Sequence, residues 1–451
     1  MTTRFWTNPS VLALSGGDDP VEAITKKARA VVFDALERGW KGPPYDPFSL
    51  AEQMGIRTMP SADVLDARTV PLSGNRYRIE FNPDRPQRRI RYSVFHELAH
   101  TLFPDCGETI RNRGTHTASR PDDRQLETLC NIAAAEFLLP TGSLGTGKPP
   151  AAEIDTVLEL RERYEASAEA ALLRVSRLTS EPAIAFACRR DRATGRYVVD
   201  YAAPSPRTTW RLYPGRLLPT GTAAEQCTAI GYTAKQSEAW PFGFGQVRVE
   251  CVGIAPYPRE IFPRVIGFVR PIEFPAAKNV DITYVKGDAT ELRGAGKKLL
   301  TQIVNDTAYT WGAGFAAAVR RRWPAAQKAF TAQAQSPGPT LHLGNVVQCD
   351  IEPDVTLLSL IAQRGYGPAP RPRIRYNALR ESLAKVCELA KRTSATVHMP
   401  RIGTGEAGGS WFVIEELLRE VLTRNDVPVV VYDLPTARAR ANPQHNLPLT
   451  R

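Results

Sequence analysis

The chain begins with apolar residues that recur at helical spacing. From Val21 to Leu36 they mark one face of a helix, for which Asp19 is a suitable N-cap and Pro20 a suitable first residue. The segment KGPPYDP ends this helix, and FSLAEQMG predicts a second, short one. The segments IRTMP and RYRIEFNP have the pattern of strands. After residue 120, helical spacing returns in LETLCNIAAAEFLLP and in IDTVLELRERYEASAEAALLRVSRL, which predicts either a helix-turn-helix or a simple packing hairpin.

The pattern changes twice further along the chain. Between residues 182 and 274, short β-type runs such as AIAFACR, RYVVDYA and QVRVECVGIA alternate with turn residues. Beyond the linker-like segment PIEFPAAKNV, strand and helix patterns alternate, as in a layered α/β domain. We therefore predict a multidomain α/β protein with an N-terminal domain (residues 1–180), a small β-rich middle domain (181–276) and a C-terminal domain (277–451).

Composition narrows the class of protein. The 451 residues are 43% hydrophobic and 23% charged, which is typical of a folded globular chain. No apolar run approaches the roughly 18–20 residues of a membrane span and no signal-peptide pattern is present, so we expect a cytoplasmic protein without a membrane partner. The seven cysteines form no CxxC pair, which favours reduced thiols. The net charge of +11 makes a nucleic acid or a nucleotide a candidate partner.

The segment RYSVFHELAHTLF contains the first candidate chemistry. His96 and His100 are four residues apart, so on a helix both imidazoles lie on one face and can reach one metal ion, with Glu97 beside it. Zinc would also need a third ligand and an open position for water. The alternative is a pair of surface or capping histidines that bind no metal.

The helix that follows offers the third ligand. Glu127 supplies a carboxylate, and Asn131, one turn later, supplies an amide that can orient a ligating histidine from outside the coordination shell. Glu136 is the alternative ligand. It lies about two and a half turns from Glu127, so the two carboxylates face opposite sides and only one can serve. His116, in a polar loop, is either a transition-state donor or an exposed loop residue.

Three separated segments, YDPFSLAEQMGI, RRIRYSVFHELAHTLF and ETLCNIAAAEFLLP, resemble the ImmA/IrrE family of zinc metallopeptidases. The family pattern is HExxH followed by a helix with the pattern ExxANxFAAExLxP, and the resemblance covers about residues 20 to 180. It implies a zincin-like α+β fold with Zn²⁺ as the cofactor. It also implies that zinc is bound by His96, His100 and Glu127 and that Glu97 is the catalytic glutamate.

Two residues depart from the family pattern, since Cys130 and Ala133 replace its usual alanine and phenylalanine. Both changes affect packing and leave the metal ligands in place. The implied reaction is peptide hydrolysis, in which zinc lowers the pKa of its bound water towards ~7 and Glu97 transfers the proton to the leaving amine. Family members commonly cut a transcriptional repressor, so the resemblance implies a protein substrate of this kind, in DNA-damage or phage-related stress.

The C-terminal half contains two glycine-rich turns, in NDTAYTWGAGFAAAVRRRWP and HMPRIGTGEAGGSW, each between a strand-like run and a helix. Glycines let backbone N–H groups approach a phosphate, and a helix N-terminus adds its dipole. One such turn is weak evidence, because a simple tight turn has the same pattern. Two in one α/β domain can hold a diphosphate from both sides, and Asp288 at a strand end could accept a hydrogen bond from an adenine amino group.

These segments, in this order, resemble a macro domain, the ADP-ribose-binding module with a three-layer α/β/α fold. The resemblance covers about residues 278 to 436. It implies an adenine contact at Asp288, beside Ala289, and a distal ribose near Asn305. The implied phosphate loops consist of Gly312, Ala313, Gly314 and Phe315, and of Ile402, Gly403, Thr404, Gly405 and Glu406.

The macro subgroup that removes ADP-ribose uses a lysine and an aspartate. The lysine aligns near Gln363 and the aspartate aligns with Ala407, so the sequence favours ligand binding over hydrolysis. We expect a zinc-dependent endopeptidase whose macro domain senses ADP-ribose, a related nucleotide or an ADP-ribosylated target. The alternatives are an ADP-ribosyl hydrolase and a non-catalytic scaffold that binds nucleic acid.

Overall fold

The structure is a computed structural model that describes residues 6–72, 76–106, 111–112, 121–144, 149–241, 243–257, 260–272, 280–307, 310–335, 341–367 and 369–434. The chain divides into two compact units, Met1–Asn279 and Val280–Arg451. The expected multidomain, mixed α/β organisation is confirmed, whereas the domain boundaries at residues 180 and 276 stay predictions. Most of the expected linker lies outside the described residues. In the part of the chain that is described, no helix is long and apolar enough to cross a membrane.

The first unit begins with helices around a four-stranded sheet of order β1-β3-β2-β4. Strands β1 and β3 are parallel, and the other pairs are antiparallel. Helix α4 packs against β2, β3 and the long helix α5. The elements are α1 (Pro9–Ser15), α2 (Pro20–Glu37), α3 (Pro47–Gln53), β1 (Arg57–Pro60), β2 (Ala67–Leu72), β3 (Arg76–Phe81), α4 (Gln87–His100), β4 (Arg111–Asn112), α5 (Pro121–Leu138), α6 (Ile154–Arg163) and α7 (Ala168–Leu178).

Local sequence signals set the ends of several of these helices. The Asp19 side chain accepts hydrogen bonds from the backbone N–H groups of Val21 and Glu22, at 2.9 and 3.1 Å, and Pro20 is the first residue of α2. Asp46 caps α3 in the same way. The expected start of the first long helix is therefore confirmed. The predicted helical pair is present as α6 and α7.

Five antiparallel strands complete the first unit, in the order β6-β5-β9-β8-β7. Their apolar residues, including Phe186, Trp240 and Val249, form a buried cluster. The sheet is joined to the preceding helices by polar contacts: the Arg264 guanidinium donates to Glu169 of α7 at 2.7 Å. The elements are β5 (Ile184–Arg190), β6 (Tyr197–Pro204), α8 (Ala223–Gln226), β7 (Thr233–Trp240), β8 (Gly245–Ile254) and β9 (Arg264–Pro271).

The second unit is built on a six-stranded sheet of order β10-β15-β14-β11-β13-β12, parallel except for β12. A short 3₁₀ turn, Thr423–Asn425, precedes the last strand. The elements are β10 (Ile282–Lys286), β11 (Lys298–Asn305), α9 (Gly314–Arg322), α10 (Pro324–Gln335), β12 (Val346–Glu352), β13 (Val355–Gln363), α11 (Tyr376–Thr393), β14 (Thr396–Pro400), α12 (Trp411–Val421) and β15 (Val429–Asp433).

Side-chain alternation gives this sheet two buried faces. Leu300 of β11 and Leu357 of β13 pack in one cluster with Val319 of α9 and Phe330 of α10. Helix α11 packs on β13 and on α12. Because the strands are parallel, their carboxyl ends meet at one edge of the sheet. Ligands of open α/β sheets bind at such an edge, so the loops that follow β10, β11 and β14 are well placed for binding.

Candidate metal centre and ligand-binding loops

Helix α4 brings the HExxH residues into the interior of the first unit. The side chains of His96, Glu97 and His100 are all buried, although a glutamate is rarely fully buried without a partner. The two imidazole rings lie 5.0 Å apart between centroids, at an angle of 74°. This burial excludes the alternative that the histidines are surface residues.

Both imidazoles turn the same ring nitrogen towards Glu127 of α5. His96 Nε2 lies 2.9 Å from one carboxylate oxygen of Glu127, and His100 Nε2 lies 3.5 Å from the other. Two ligand atoms about 2.1 Å from a tetrahedral zinc ion lie about 3.4 Å apart, so the 3.5 Å spacing fits a shared metal, whereas the 2.9 Å spacing is that of a direct hydrogen bond. The Glu127 side chain is 29% exposed, which leaves one side of the triad accessible to water or a substrate.

Cys130 contacts the second ring nitrogen of His100. Its Sγ lies 3.4 Å from His100 Nδ1, one helical turn beyond Glu127. The ligand atoms available from His96, His100 and Cys130 all lie within 4.8 Å of one another. The family pattern indicates only a packing change at Cys130. In the structure its thiol is the partner of His100 Nδ1, and a hydrogen bond at this nitrogen fixes the tautomer of the imidazole.

Asn131 lies on the same helix and contacts α4 through a tyrosine. Its side-chain oxygen accepts a hydrogen bond from the Tyr92 hydroxyl at 2.5 Å, and the Tyr92 ring lies 6.0 Å from the His96 ring between centroids. Asn131 thus contacts α4 through the Tyr92 side chain. If Asn131 orients His96, it does so by positioning Tyr92.

Glu97 is held by Thr69, a residue that no sequence motif indicates. Thr69, fully buried on β2, donates its hydroxyl hydrogen bond to Glu97 Oε2 at 2.8 Å, and the hydroxyl also lies 3.1 Å from the Glu97 carbonyl oxygen. Thr69 is 28 residues from Glu97, in a strand that contains no known motif. The sequence shows only that a small polar residue stands among apolar residues of this strand.

Glu136, the alternative third ligand, is committed elsewhere. Its buried carboxylate forms ion pairs with three arginines, including a 3.2 Å contact with Arg29 Nε and a close hydrogen bond from Arg177. Burial raises the pKa of Glu136, but the charges of Arg177, Arg29 and Arg174 outweigh it and lower the pKa to about 2. The structure therefore brings Glu127, and not Glu136, to the histidines. His116 lies outside the described residues.

In the second unit, the predicted ligand residues occupy the carboxyl edge of the sheet. Asp288 and Ala289 follow β10, and the Asp288 carboxylate accepts hydrogen bonds from Thr290 N and Oγ1, both at 2.8 Å. Asn305 ends β11, where its side-chain oxygen accepts a 3.0 Å hydrogen bond from Thr307 N. These contacts order the two turns, and the structure brings both residues to the edge where the glycine-rich loops begin.

The two glycine-rich loops approach each other. The first, formed by Gly312, Ala313, Gly314 and Phe315, leads into α9, of which Ala313 is the N-terminal flanking residue. The second, Ile402 to Glu406, follows β14. A Cβ atom built on Gly314 would lie 3.9 Å from Cγ of Glu406, so the loops are adjacent. Among the described residues other than chain neighbours, no heavy atom lies within 4 Å of a Cβ atom built on Gly312 or Gly405, so there is open space beside their backbone.

One glycine of the second loop is required by packing. Gly403 has φ of +75°, and a Cβ atom there would lie 2.9–3.1 Å from three isoleucine side chains beneath it, Ile303, Ile374 and Ile414. Thr404 closes the turn by donating its hydroxyl to the Arg401 carbonyl at 2.8 Å. The loop therefore packs closely on the side chains beneath it.

The two positions that align with hydrolytic residues in a macro subgroup are buried and uncharged. Gln363 donates its side-chain amide to the Gly365 carbonyl at 2.9 Å, and Ala407 is 4% exposed. Neither side chain can act as a general base or as a cation, so these two positions lack the catalytic pair of that subgroup.

Comparison with known proteins agrees with this division. Residues 51–176 match the model of the IrrE N-terminal-like domain family. The chain is 27% identical over 187 residues to the radiation response metalloprotease IrrE of Deinococcus radiodurans, a match that covers 36% of this chain and 54% of that protein.

The C-terminal part matches different proteins. A macrodomain protein of Streptomyces coelicolor is 38% identical, with 34% of this chain and 99% of that chain covered and a TM-score of 0.30. The chromodomain-helicase-DNA-binding protein 1-like of Mus musculus is 30% identical over 171 residues, which is 36% of this chain and 19% of that protein. The chain thus spans less than a fifth of this curated relative. It combines an IrrE-like peptidase-family segment with a macrodomain-like C-terminal part.

Proposed function

We propose that the protein is a zinc-dependent endopeptidase with a zincin-like N-terminal site, whose macrodomain-like part binds ADP-ribose or a related nucleotide. The observation that carries the first half is the convergence of His96 Nε2, His100 Nε2 and the Glu127 carboxylate, within 2.9 and 3.5 Å. Two imidazoles and one carboxylate are a frequent ligand set of catalytic zinc. The IrrE-like family match supports the same conclusion.

Each residue of this site has a distinct role in the proposed reaction. Zinc, when bound, supplies a Lewis acid that lowers the pKa of a water towards ~7. Glu97 accepts the proton of the attacking water and returns it to the departing amine. Thr69 keeps the Glu97 carboxylate in one orientation. Cys130 contacts Nδ1 of His100 and so keeps Nε2 of the same ring directed at Glu127.

The nucleotide ligand is supported by the second unit. Its two glycine-rich loops lie together at the carboxyl edge of a mainly parallel sheet, where backbone N–H groups can surround a diphosphate. The similarity to a macrodomain protein points to ADP-ribose as the ligand class. The buried Gln363 and Ala407 favour binding over hydrolysis.

Together, the two halves suggest regulated proteolysis. We propose that the substrate is a regulatory protein such as a DNA-binding repressor and that an ADP-ribose-type signal, or an ADP-ribosylated target, directs or switches its cleavage. The experiment incubates the purified full chain with candidate repressors, with and without ADP-ribose, and follows cleavage by gel and mass spectrometry. Glu97→Gln is the matched inactive control.

The outcomes separate the parts of this proposal. Cleavage by the wild type whose rate or target choice changes with ADP-ribose supports the coupled function. Cleavage that ADP-ribose leaves unchanged refutes the coupling and retains the peptidase. Release of ADP-ribose from a modified protein or DNA by Glu97→Gln would instead support a hydrolase.

A further inference from the structure

The connection between β10 and β11, residues 287–297, contains no helix or strand. Both strands run in the same direction, so this β10–β11 connection has to cross from the carboxyl edge of the sheet to its amino edge. A helix usually makes such a crossover and pairs its own backbone groups. An irregular connection instead needs polar partners outside itself to hold one conformation. The connection also carries Asp288, the expected contact of the adenine.

Two buried side chains of the sheet supply such partners. His398 of β14 and Tyr432 of β15 are each 2% exposed, and His398 Nδ1 lies 3.0 Å from the Tyr432 hydroxyl. That hydroxyl accepts a hydrogen bond from the backbone N–H of Arg293, at 3.0 Å. We propose that the His398–Tyr432 pair positions the connection that bears Asp288 and thereby sets the preference of the second unit for adenine; the inference rests on the proposed nucleotide ligand.

The hydrogen bonds of the pair run in one direction. Because the Tyr432 oxygen accepts from Arg293, its own proton is available for His398 Nδ1. The other ring nitrogen, Nε2, then carries the histidine proton and donates to Thr396 Oγ1 at 2.9 Å. The Thr396 hydroxyl in turn donates to the carbonyl of Lys297, at 3.4 Å. The chain of hydrogen bonds thus begins and ends on the β10–β11 connection.

This direction requires a neutral imidazole, because a protonated ring has no acceptor for the Tyr432 hydroxyl. Burial, together with the charge of Lys298, lowers the pKa of His398 to about 4, so the ring is neutral near pH 7. The Lys298 ammonium also donates to the carbonyl of Gly296 at 2.9 Å. The same residue therefore keeps His398 neutral and attaches the connection to β11.

Arg293 joins this anchor to the turn that contains Asp288. Its guanidinium donates to the Lys286 carbonyl at 3.0 Å, and the Glu291 N–H donates to the Asp288 carbonyl at 3.0 Å. One oxygen of the Asp288 carboxylate accepts from Thr290, while the other has no partner among the described residues. A displacement of Arg293 would therefore move the turn, and with it the carboxylate oxygen that is available to an adenine amino group.

The test compares two ligands that differ at one group of the base. Isothermal titration calorimetry of the full chain would use ADP-ribose and inosine diphosphate ribose, in which a carbonyl oxygen replaces the adenine amino group. The wild type should prefer ADP-ribose at least about tenfold, because only adenine presents an amino group to Asp288. Tyr432→Phe keeps the ring but removes the hydroxyl. It should reduce this preference about fivefold and leave the affinity for inosine diphosphate ribose within about twofold.

Hydrogen exchange provides a readout that does not depend on a ligand. Exchange of the peptide that spans the β10–β11 connection, followed by mass spectrometry, should be faster in Tyr432→Phe, because the Arg293 N–H loses its acceptor. His398→Leu removes the acceptor of the Tyr432 hydroxyl and should act in the same direction. Thr356→Val, which removes a hydroxyl that donates to Asp350 at the other edge of the sheet, should change neither the exchange nor the preference.

A double-mutant cycle decides whether the effect runs through Asp288. Asp288→Ala should remove the preference by itself, and Tyr432→Phe should then have no further effect on it. An additional loss of preference in the double variant would contradict the proposed route.

Three further results would overturn the proposal. Faster exchange with an unchanged preference would give the pair a structural role only. A lower preference without faster exchange would mean that Tyr432 contacts the ligand. If the wild type binds neither nucleotide, the proposed ligand is wrong and the preference for adenine is refuted with it, while the exchange experiment still shows whether the pair orders the connection.

Discussion

At the scale of single residues, the proposed metal centre depends on side chains that contact its catalytic glutamate and one of its proposed ligands. Thr69 supports Glu97, and Cys130 supports His100. Groups of this kind hold ligands and bases in one orientation, so their removal affects a site without removing any ligand. Each of the two contacts leads to a prediction with a different readout.

Replacing Cys130 should weaken metal binding. Cys130→Ala removes the partner of His100 Nδ1 and should lower zinc affinity about tenfold, the lower end of the range for such contacts. Competition with a chromogenic chelator measures this affinity. Cys130→Ser, which keeps a hydrogen-bonding group, should recover part of the loss. Unchanged affinity in Cys130→Ala would contradict the orienting role.

The same thiol offers a test of the ligand set. In the proposed centre, zinc is held by nitrogen and oxygen atoms, and Cys130 stays outside the coordination shell. X-ray absorption spectroscopy of the zinc-loaded protein should therefore show no sulfur neighbour at about 2.3 Å. A sulfur neighbour in the wild type that disappears in Cys130→Ala would show that Cys130 is itself a ligand.

Replacing Thr69 should slow cleavage and leave the metal in place. Thr69→Val keeps the shape of the side chain but removes the hydroxyl that donates to Glu97. We expect kcat to fall about tenfold, the equivalent of one hydrogen bond to a charged group. Thr69→Ser retains the hydroxyl and is the matched control. A loss of zinc from Thr69→Val would indicate a structural role for Thr69 instead.

At the scale of elements, the packing of α5 involves two carboxylates with opposite roles. Glu127 faces the histidines of α4, while Glu136 faces three arginines of α2 and α7. The same helix thus presents the proposed metal ligand on one side and joins the core on the other. We therefore expect the Glu136 carboxylate to contribute to the free energy of unfolding of the first unit.

Glu136→Gln should destabilise the first unit. The pKa of Glu136 is lowered from 4.5 to about 2, which corresponds to about 3 kcal/mol of stability at neutral pH. Because the folded-state pKa is the lower one, this contribution is complete above about pH 4.5 and is lost as the pH falls towards about 2. Chemical denaturation of wild type and variant at several pH values should show a difference that shrinks over this window. A difference independent of pH would contradict the assignment.

A second element, the first glycine-rich loop, has room for a larger side chain. Among the described residues other than its chain neighbours, no heavy atom lies within 4 Å of a Cβ atom built on Gly312, and this glycine does not have a positive φ. Gly312→Leu should therefore fold normally and occupy the space of the ligand phosphate. We expect ADP-ribose binding to fall at least tenfold while the melting temperature changes little. Retained affinity would show that the ligand does not approach Gly312.

The sequence patterns predicted many elements and ligands for local reasons. The cap at Asp19, the i and i+4 spacing of His96 and His100, and the turns between strands and helices are all set by neighbouring residues. The contacts of Thr69 with Glu97 and of Cys130 with His100 were not predicted, because each joins residues 28 or 30 positions apart on different elements. Side-chain packing between elements has no periodic signal in one sequence. The sequence likewise does not show that Glu136 is occupied by ion pairs, because its arginine partners lie on other helices, α2 and α7.

At the scale of the whole molecule, the chain joins two kinds of site in two compact units. The first unit contains the IrrE-like segment with its buried histidines, and the second contains the two adjacent glycine-rich loops. The proposed regulation requires both. The proposed regulation also requires that Glu97 promotes peptide hydrolysis at the centre formed by His96, His100 and Glu127.

The most direct test measures zinc content and polypeptide cleavage together, in the wild type and in Glu97→Gln. Because Glu97 is the proposed proton carrier and not a ligand, both proteins should bind one zinc ion, and cleavage by the variant should be at least about 100-fold slower. Equal cleavage rates in the two zinc-loaded proteins would contradict the account.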